Sequence, residues 1–239
     1  MSLRFNRPFS DPIKALSFDL DDTLYYNGDV IRNAIQVQFD TICQLIPSAK
    51  TKGPEFWEAL KWQVAKTKPE VCHDVNLWRH HVLDLGLASF GIEQPLKKQM
   101  SKQIYNAFYD ARSDFTVPQQ TFDVLGKLSE KYPLVAVTNG NADYQRIGLA
   151  PYFVGYYRAG ENGTRMKPYP DMLKDASKDL NIPCENILHL GDSAPSDIQA
   201  ALNANCPSLW FNPDNNTYPT GFTLANGEYS DLDDLLHLL

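Results

Sequence analysis

The chain has 239 residues, 43% of them hydrophobic, and a formal net charge of −7. That length suffices for one α/β core with a smaller appended domain. So acidic a chain is a poor candidate for binding nucleic acid or an anionic membrane through bulk charge, and no apolar stretch approaches the roughly 20 residues that span a bilayer. The first residues lack the apolar run of a signal peptide. Cys43, Cys72, Cys184 and Cys206 show neither CxxC nor metal-ligand spacing, so they read as ordinary thiols of a reducing, cytoplasmic compartment.

The first strand-like run, Ile13 to Phe18, ends in Asp19-Leu20-Asp21-Asp22-Thr23-Leu24. Strand side chains alternate, so Asp19 and Asp21 point to the same side if the chain stays extended. Two crowded carboxylates repel and favour a shared cation. Such a pair suits a nucleophile and a general acid/base. It also suits a strand that simply ends in an acidic turn.

From about Asn27 to Val117 the pattern is helical. Ile31, Ile35, Phe39, Ile42 and Ile46 keep helical spacing, as do Phe56, Leu60 and Val64, then Leu77, His81 and Leu85, then Ile104 and Phe108. From Pro118 onward helix and strand alternate, which predicts βαβ units and a parallel sheet. Pro118 starts a helix running to Lys131, and Leu134 to Val137 is a strand. Asn141 to Leu149 is expected as a short helix and Phe153 to Tyr157 as a strand. A helix over Pro170 to Leu180, a strand over Ile187 to Leu190, a helix over Ala194 to Asn205 and a strand over Ser208 to Phe211 follow. Asp231 to Leu239 reads as a final short helix with acids in its first turn.

Three further segments follow the first acidic run in order. They are Thr138-Asn139-Gly140 after a strand, Lys167-Pro168 before a helix, and Gly191-Asp192-Ser193-Ala194-Pro195-Ser196-Asp197 after another strand. With these four motifs the chain resembles the haloacid dehalogenase superfamily of phosphohydrolases over nearly its whole length. The resemblance implies an α/β fold, with a Rossmann-like parallel sheet core and an inserted helical C1 cap domain. The core is then residues 1–26 and 118–239, and the cap residues 27–117.

The resemblance also assigns roles. Asp19 is the nucleophile that forms an aspartyl-phosphate, and Asp21 protonates the leaving alcohol and then activates water. Mg²⁺ is held by Asp19, Asp192 and the Asp21 backbone carbonyl. Thr138, Asn139, Gly140 and Lys167 hold the phosphoryl group. Asp197 either orients metal waters or Lys167, or is a first-turn acid favoured by the helix dipole.

In the cap, Pro69 to Arg79 gathers His73, Asp74, Trp78 and Arg79 at a helix start. Trp78 suits stacking on a planar ring, and Arg79 suits holding a polar edge. Equally, Asp74 suits an N-cap, Trp78 cap core and Arg79 a solvated charge. This segment, with Pro118-Gln119-Gln120-Thr121 and Thr138 to Asn141, resembles the branch that dephosphorylates flavin mononucleotide and 5-amino-6-(5-phospho-D-ribitylamino)uracil. His73, Trp78 and Arg79 are then substrate contacts. The partner expected is a small phosphorylated metabolite, and the chain a monomer or homodimer. A sugar-phosphate phosphatase or phosphomutase keeps all four motifs. Haloacid dehalogenases lack an acid at the position of Asp21. A phospho-aspartate interaction module would need no cap domain.

Overall fold

The computed structural model describes residues 3–239. Two short strands, β1 (Arg4–Phe5) and β2 (Ala15–Phe18), open the chain. Four helices follow, α1 (Gly28–Leu45), α2 (Gly53–Thr67), α3 (Val75–Ser89) and α4 (Leu96–Arg112). The chain then alternates through α5 (Gln119–Ser129), β3 (Leu134–Thr138), β4 (Gly155–Arg158) and α6 (Asp171–Leu180). It ends with β5 (Ile187–Gly191), α7 (Gln199–Ala204), β6 (Ser208–Phe211), β7 (Gly227–Tyr229) and a 3₁₀ helix at Leu232–Leu238. Contacts divide it into two compact units: Met1–Tyr26 with Thr116–Gly140 and Gly148–Leu239, and Asn27–Phe115 with Asn141–Ile147.

The first unit holds a seven-stranded sheet in the order β1-β7-β6-β5-β2-β3-β4, parallel except for β1 against β7. Strands β2, β3 and β5 are buried along their whole length, and their near-continuous apolar runs follow from that. One face packs Ala15, Val135, Val137 and Ile187 against Met172, Leu173 and Ala176 of α6 and Ala200 and Ala201 of α7. β1 and β7 have two and three residues, too few for a periodic pattern to announce them.

The second unit packs its four helices around Ile42, Trp57, Val64, Leu83, Leu87 and Ile104. Apolar spacing overstated what is covered. Ile35, Leu77 and Leu85 are exposed, and the buried stripe of α3 is Val82, Leu83, Gly86 and Leu87. Gly86 has a steric reason, because a side chain there would overlap the Trp57 ring. Gly86→Ala should therefore destabilise the protein by about 1–3 kcal/mol despite alanine's better helix propensity. Urea unfolding followed by tryptophan fluorescence checks this, and an unchanged midpoint would refute the packing argument.

One expectation fails outright. Asn141 to Leu149 is no helix but a run of turns. The Asp143 side chain accepts the N–H groups of Gln145 and Arg146 at 3.0 and 3.2 Å, as an N-cap does, and the Ile147 N–H reaches the Asp143 carbonyl at 3.1 Å. Gly148 then turns left-handed with φ 80° and stops the turn from continuing as a helix. Asn141 bonds Asn76 and Arg146 bonds Asp110, so this segment counts with the helical unit. The expected helix at Ala194 to Asn205 opens as a π turn over Ala194–Ile198, in which the N–H groups of Ser196, Asp197 and Ile198 converge on the Ser193 carbonyl.

Candidate active site

The parallel strands end together, and their carboxyl ends carry the polar residues, as open α/β sheets require. The Asp19 N–H still bonds the Leu190 carbonyl at 2.8 Å, which fixes Asp19 just beyond β2. Extension stops soon after, since Asp22 is left-handed with φ 58°. Asp21 bridges to Tyr25, whose hydroxyl donates to Asp21 Oδ1 at 2.7 Å. Thr138 ends β3, Asp192 follows β5, and Lys167 comes from the loop before α6.

Lys167 is the centre of this cluster. Its side chain is 1% exposed. Its ammonium donates to Asp19 Oδ1 at 2.5 Å, to Asp197 Oδ1 at 2.7 Å and to the Val137 carbonyl at 2.7 Å. The three N–H groups of an ammonium are thereby used. Asn139 holds the Lys167 backbone from both sides, accepting from its N–H at 2.7 Å and donating to its carbonyl at 3.0 Å. The Asn139 side chain thus sets Lys167 rather than facing outward. The Gly140 N–H is taken by Thr138 Oγ1 at 2.9 Å, while the Thr138 hydroxyl keeps its own proton. A side chain on Gly140 would overlap the Asp21 carboxylate, and one on Gly191 would overlap Asp197.

Asp197 is committed inside the protein. Its Oδ1 meets Lys167 and its Oδ2 accepts the Ser193 N–H at 2.9 Å. Thr23 escaped sequence reasoning. Its hydroxyl sits between Asp192 Oδ1 at 3.3 Å and Asp19 Oδ2 at 3.5 Å. Its place one turn after Asp19 was the only available signal.

The charges do not balance. Burial pushes the Asp19 carboxyl up, Lys167 pulls it down, and Asp197 and Asp21 push it up again, leaving it well above the usual range. Burial, then Asp197 and Asp22, push Asp192 up to about 6. Burial raises the Asp197 carboxyl, but the bonded Lys167 pulls it below its usual range. Burial alone would lower Lys167, but Asp19 and Asp197 hold it above the usual lysine range. Crowded acids with one cation among them call for further positive charge. Asp19, Asp192 and Asp197 bring carboxylate oxygens within 4.8 Å of one another. Such hard oxygen donors fit Mg²⁺, which needs few protein ligands.

A family model for haloacid dehalogenase-like hydrolases matches residues 13–205. The chain belongs to the haloacid dehalogenase-like hydrolases. The 5-amino-6-(5-phospho-D-ribitylamino)uracil phosphatase YigB of Escherichia coli K12 is 37% identical over 213 residues, covering 89% of each chain. The glyceraldehyde 3-phosphate phosphatase of Methanopyrus kandleri is 28% identical over 203 residues, covering 80% of this chain and 81% of its own. The crystal structure of 2-haloacid dehalogenase from Pseudomonas syringae pv. Tomato DC3000 superposes with a TM-score of 0.87 at 27% identity, over 95% and 97% of the two chains. This haloacid dehalogenase-like hydrolase is a phosphoric monoester hydrolase, with the α/β fold of its family. Among its described residues, no helix is long and apolar enough to cross a membrane.

The remaining candidates lie in the helical unit. Asp74 caps α3, accepting the N–H groups of Asn76 and Leu77. The Trp78 indole donates to the Lys61 carbonyl at 3.1 Å. Arg79 is no solvated charge. It donates to Gln38 Oε1 at 2.6 Å, lies 3.4 Å from the Phe108 ring centre, and is pulled down to about 10 by burial. Trp78 and Arg79 line a mainly apolar cavity of about 300 Å³ with Ile35, Phe39, Trp57 and Val82. His73, half-buried in the turn Pro69–His73, is not among its lining residues.

Proposed function

We propose that this phosphatase is Mg²⁺-dependent, works through an aspartyl-phosphate on Asp19, and acts on a phosphate ester of a planar heterocycle on a polyol. Flavin mononucleotide and 5-amino-6-(5-phospho-D-ribitylamino)uracil are such esters. The observation that carries the mechanism is Asp19 at a strand tip, with one oxygen on Lys167 and the other beside Thr23.

Asp19 and Asp192, with the Asp21 carbonyl, would hold the Mg²⁺, while the oxygens of Asp197 are engaged by Lys167 and Ser193. Once bound, the ion supplies positive charge against the phosphoryl oxygens. Asp19 attacks phosphorus, and the bond to the ester oxygen breaks. Asp21 gives that oxygen its proton, so a neutral alcohol leaves. Asp21, now ionised, takes a proton from water, whose oxygen attacks phosphorus and frees Asp19 and inorganic phosphate. Thr138 and Lys167 hold the phosphoryl oxygens while charge shifts between them. Tyr25 keeps the Asp21 carboxyl oriented through its hydroxyl.

Hydrolysis of p-nitrophenyl phosphate should require added Mg²⁺ and vanish in EDTA, and Ca²⁺ should inhibit, because its looser coordination misplaces Asp19. Full activity in EDTA would remove the metal from this mechanism.

The substrate reading is supported by the 37% identical relative that dephosphorylates a ribitylamino-uracil and by the cavity under Trp78 and Arg79. Trp78→Ala and Arg79→Ala should lower kcat/KM for flavin mononucleotide by about 10–200-fold, far more than for p-nitrophenyl phosphate. Equal losses on both would make these residues cap packing only, and a clear preference for a triose or hexose phosphate would replace the substrate class. The dehalogenase likeness favours a second activity to exclude. Chloride release from 2-chloropropionate should be absent, because an acid stands at Asp21.

A further inference from the structure

Ser17 and His189 stand directly opposite each other on β2 and β5. Both are fully buried, in strands otherwise made of apolar residues and glycine. Buried polar groups cost stability unless bonded, so this pair calls for a reason. Ser17 Oγ is 2.7 Å from His189 Nδ1. On the other side of the ring, Nε2 has no hydrogen-bond partner and faces Asp197 Oδ1 at 3.8 Å.

The tautomer follows from these neighbours. A lone pair on Nε2 would be repelled by the Asp197 carboxylate, whereas an N–H is attracted. Ser17 therefore donates to Nδ1, and Nε2 carries the proton. Burial lowers the ring's affinity for a second proton, against the pull of Asp197.

The second observation is the saturation of Lys167. Its ammonium is spent on Asp19, Asp197 and Val137. Contact with a phosphoryl oxygen, as the mechanism above requires, means releasing one acceptor. Val137 offers the carbonyl of a β3 strand residue. Asp19 is the reacting group. Asp197 Oδ1 has a second donor waiting in His189 Nε2, and closing 3.8 Å to an ordinary bond takes about 1 Å.

We propose that His189, oriented by Ser17, is a positioning residue that takes over Asp197 Oδ1 when Lys167 turns to the phosphoryl group. Without it, Lys167 stays tied to Asp197 and meets the phosphoryl group poorly. This inference rests on Asp19 as nucleophile.

The test uses the whole protein with ¹⁵N-labelled histidine, Mg²⁺ and beryllium trifluoride, a mimic of the aspartyl-phosphate. Bound mimic is read by ¹⁹F NMR. The His189 Nε2 proton should move downfield when the mimic binds, and Ser17→Ala should shrink that shift. His189→Leu should lower kcat for p-nitrophenyl phosphate by about 10–100-fold with KM little changed. His189→Gln, whose amide can still donate, should recover most of it. A purely structural histidine would lower thermal stability in both variants and leave kcat per folded molecule alone. An unmoved His189 signal with mimic bound overturns the proposal, whether or not the variants fold. Failure of the mimic to bind at all would instead bring down the aspartyl-phosphate reading, and this proposal with it.

Discussion

Asp19→Asn should reduce hydrolysis of every phosphate ester by about 10⁴–10⁶-fold, the scale of losing a covalent nucleophile. The amide cannot form an acyl phosphate, yet it nearly matches the carboxylate in shape. It still offers an oxygen to Lys167, so the fold should survive. Asp21→Asn should behave differently. With a good leaving group such as p-nitrophenolate no proton is needed, so Asp19 is still phosphorylated. Release then slows by about 10²–10⁴-fold, because no base activates the water. A burst of p-nitrophenol followed by slow turnover, with phosphate trapped on the protein, is the expected signature. Persisting activity in freshly purified Asp19→Asn, free of wild-type enzyme, would mean that another group attacks phosphorus.

Lys167→Met should be both inactive and unstable. Lys167 is the only cation bonded to the buried Asp19 and Asp197 among the described residues. Breaking a buried ion pair from one side costs about 3–5 kcal/mol, because the remaining charge stays desolvated. For a chain of this size that is roughly 6–20 °C in Tm. Adding Asp197→Asn to Lys167→Met removes one stranded carboxylate, so the double variant should regain part of the lost Tm and none of the activity. A Tm for Lys167→Met equal to wild type would show that this cluster contributes no net stability. A double variant less stable than the single one would show that Asp197 is held by its other partners.

The site was legible in the sequence to an uneven degree. Asp19, Thr138 and Asp192 were readable because each sits where a β-rich run stops, and parallel strands stop at one edge of the sheet. Lys167 had only its place in the motif order, since nothing local distinguishes it from a surface lysine. Thr23 had only its place shortly after Asp19, and the pairing of Ser17 with His189 left no trace in local pattern. Arg79 was open between solvated charge and ligand contact, and its burial against Phe108 is a property of the packed helices.

By itself the sequence determined the alternation of helix and strand, the helical insertion after the first strand, and the order of the four acidic and polar motifs. These depend on near neighbours, through periodicity and the chemistry at strand ends. Only the tertiary structure decided which carboxylates remain available for a cation, that Asp197 spends its oxygens on Lys167 and Ser193, and that Lys167 has no donor to spare. Those facts come from contacts between residues far apart in the chain, 148 positions for Lys167 and Asp19. Burial then sets their strength, because an ion pair excluded from water is governed by the few groups that touch it.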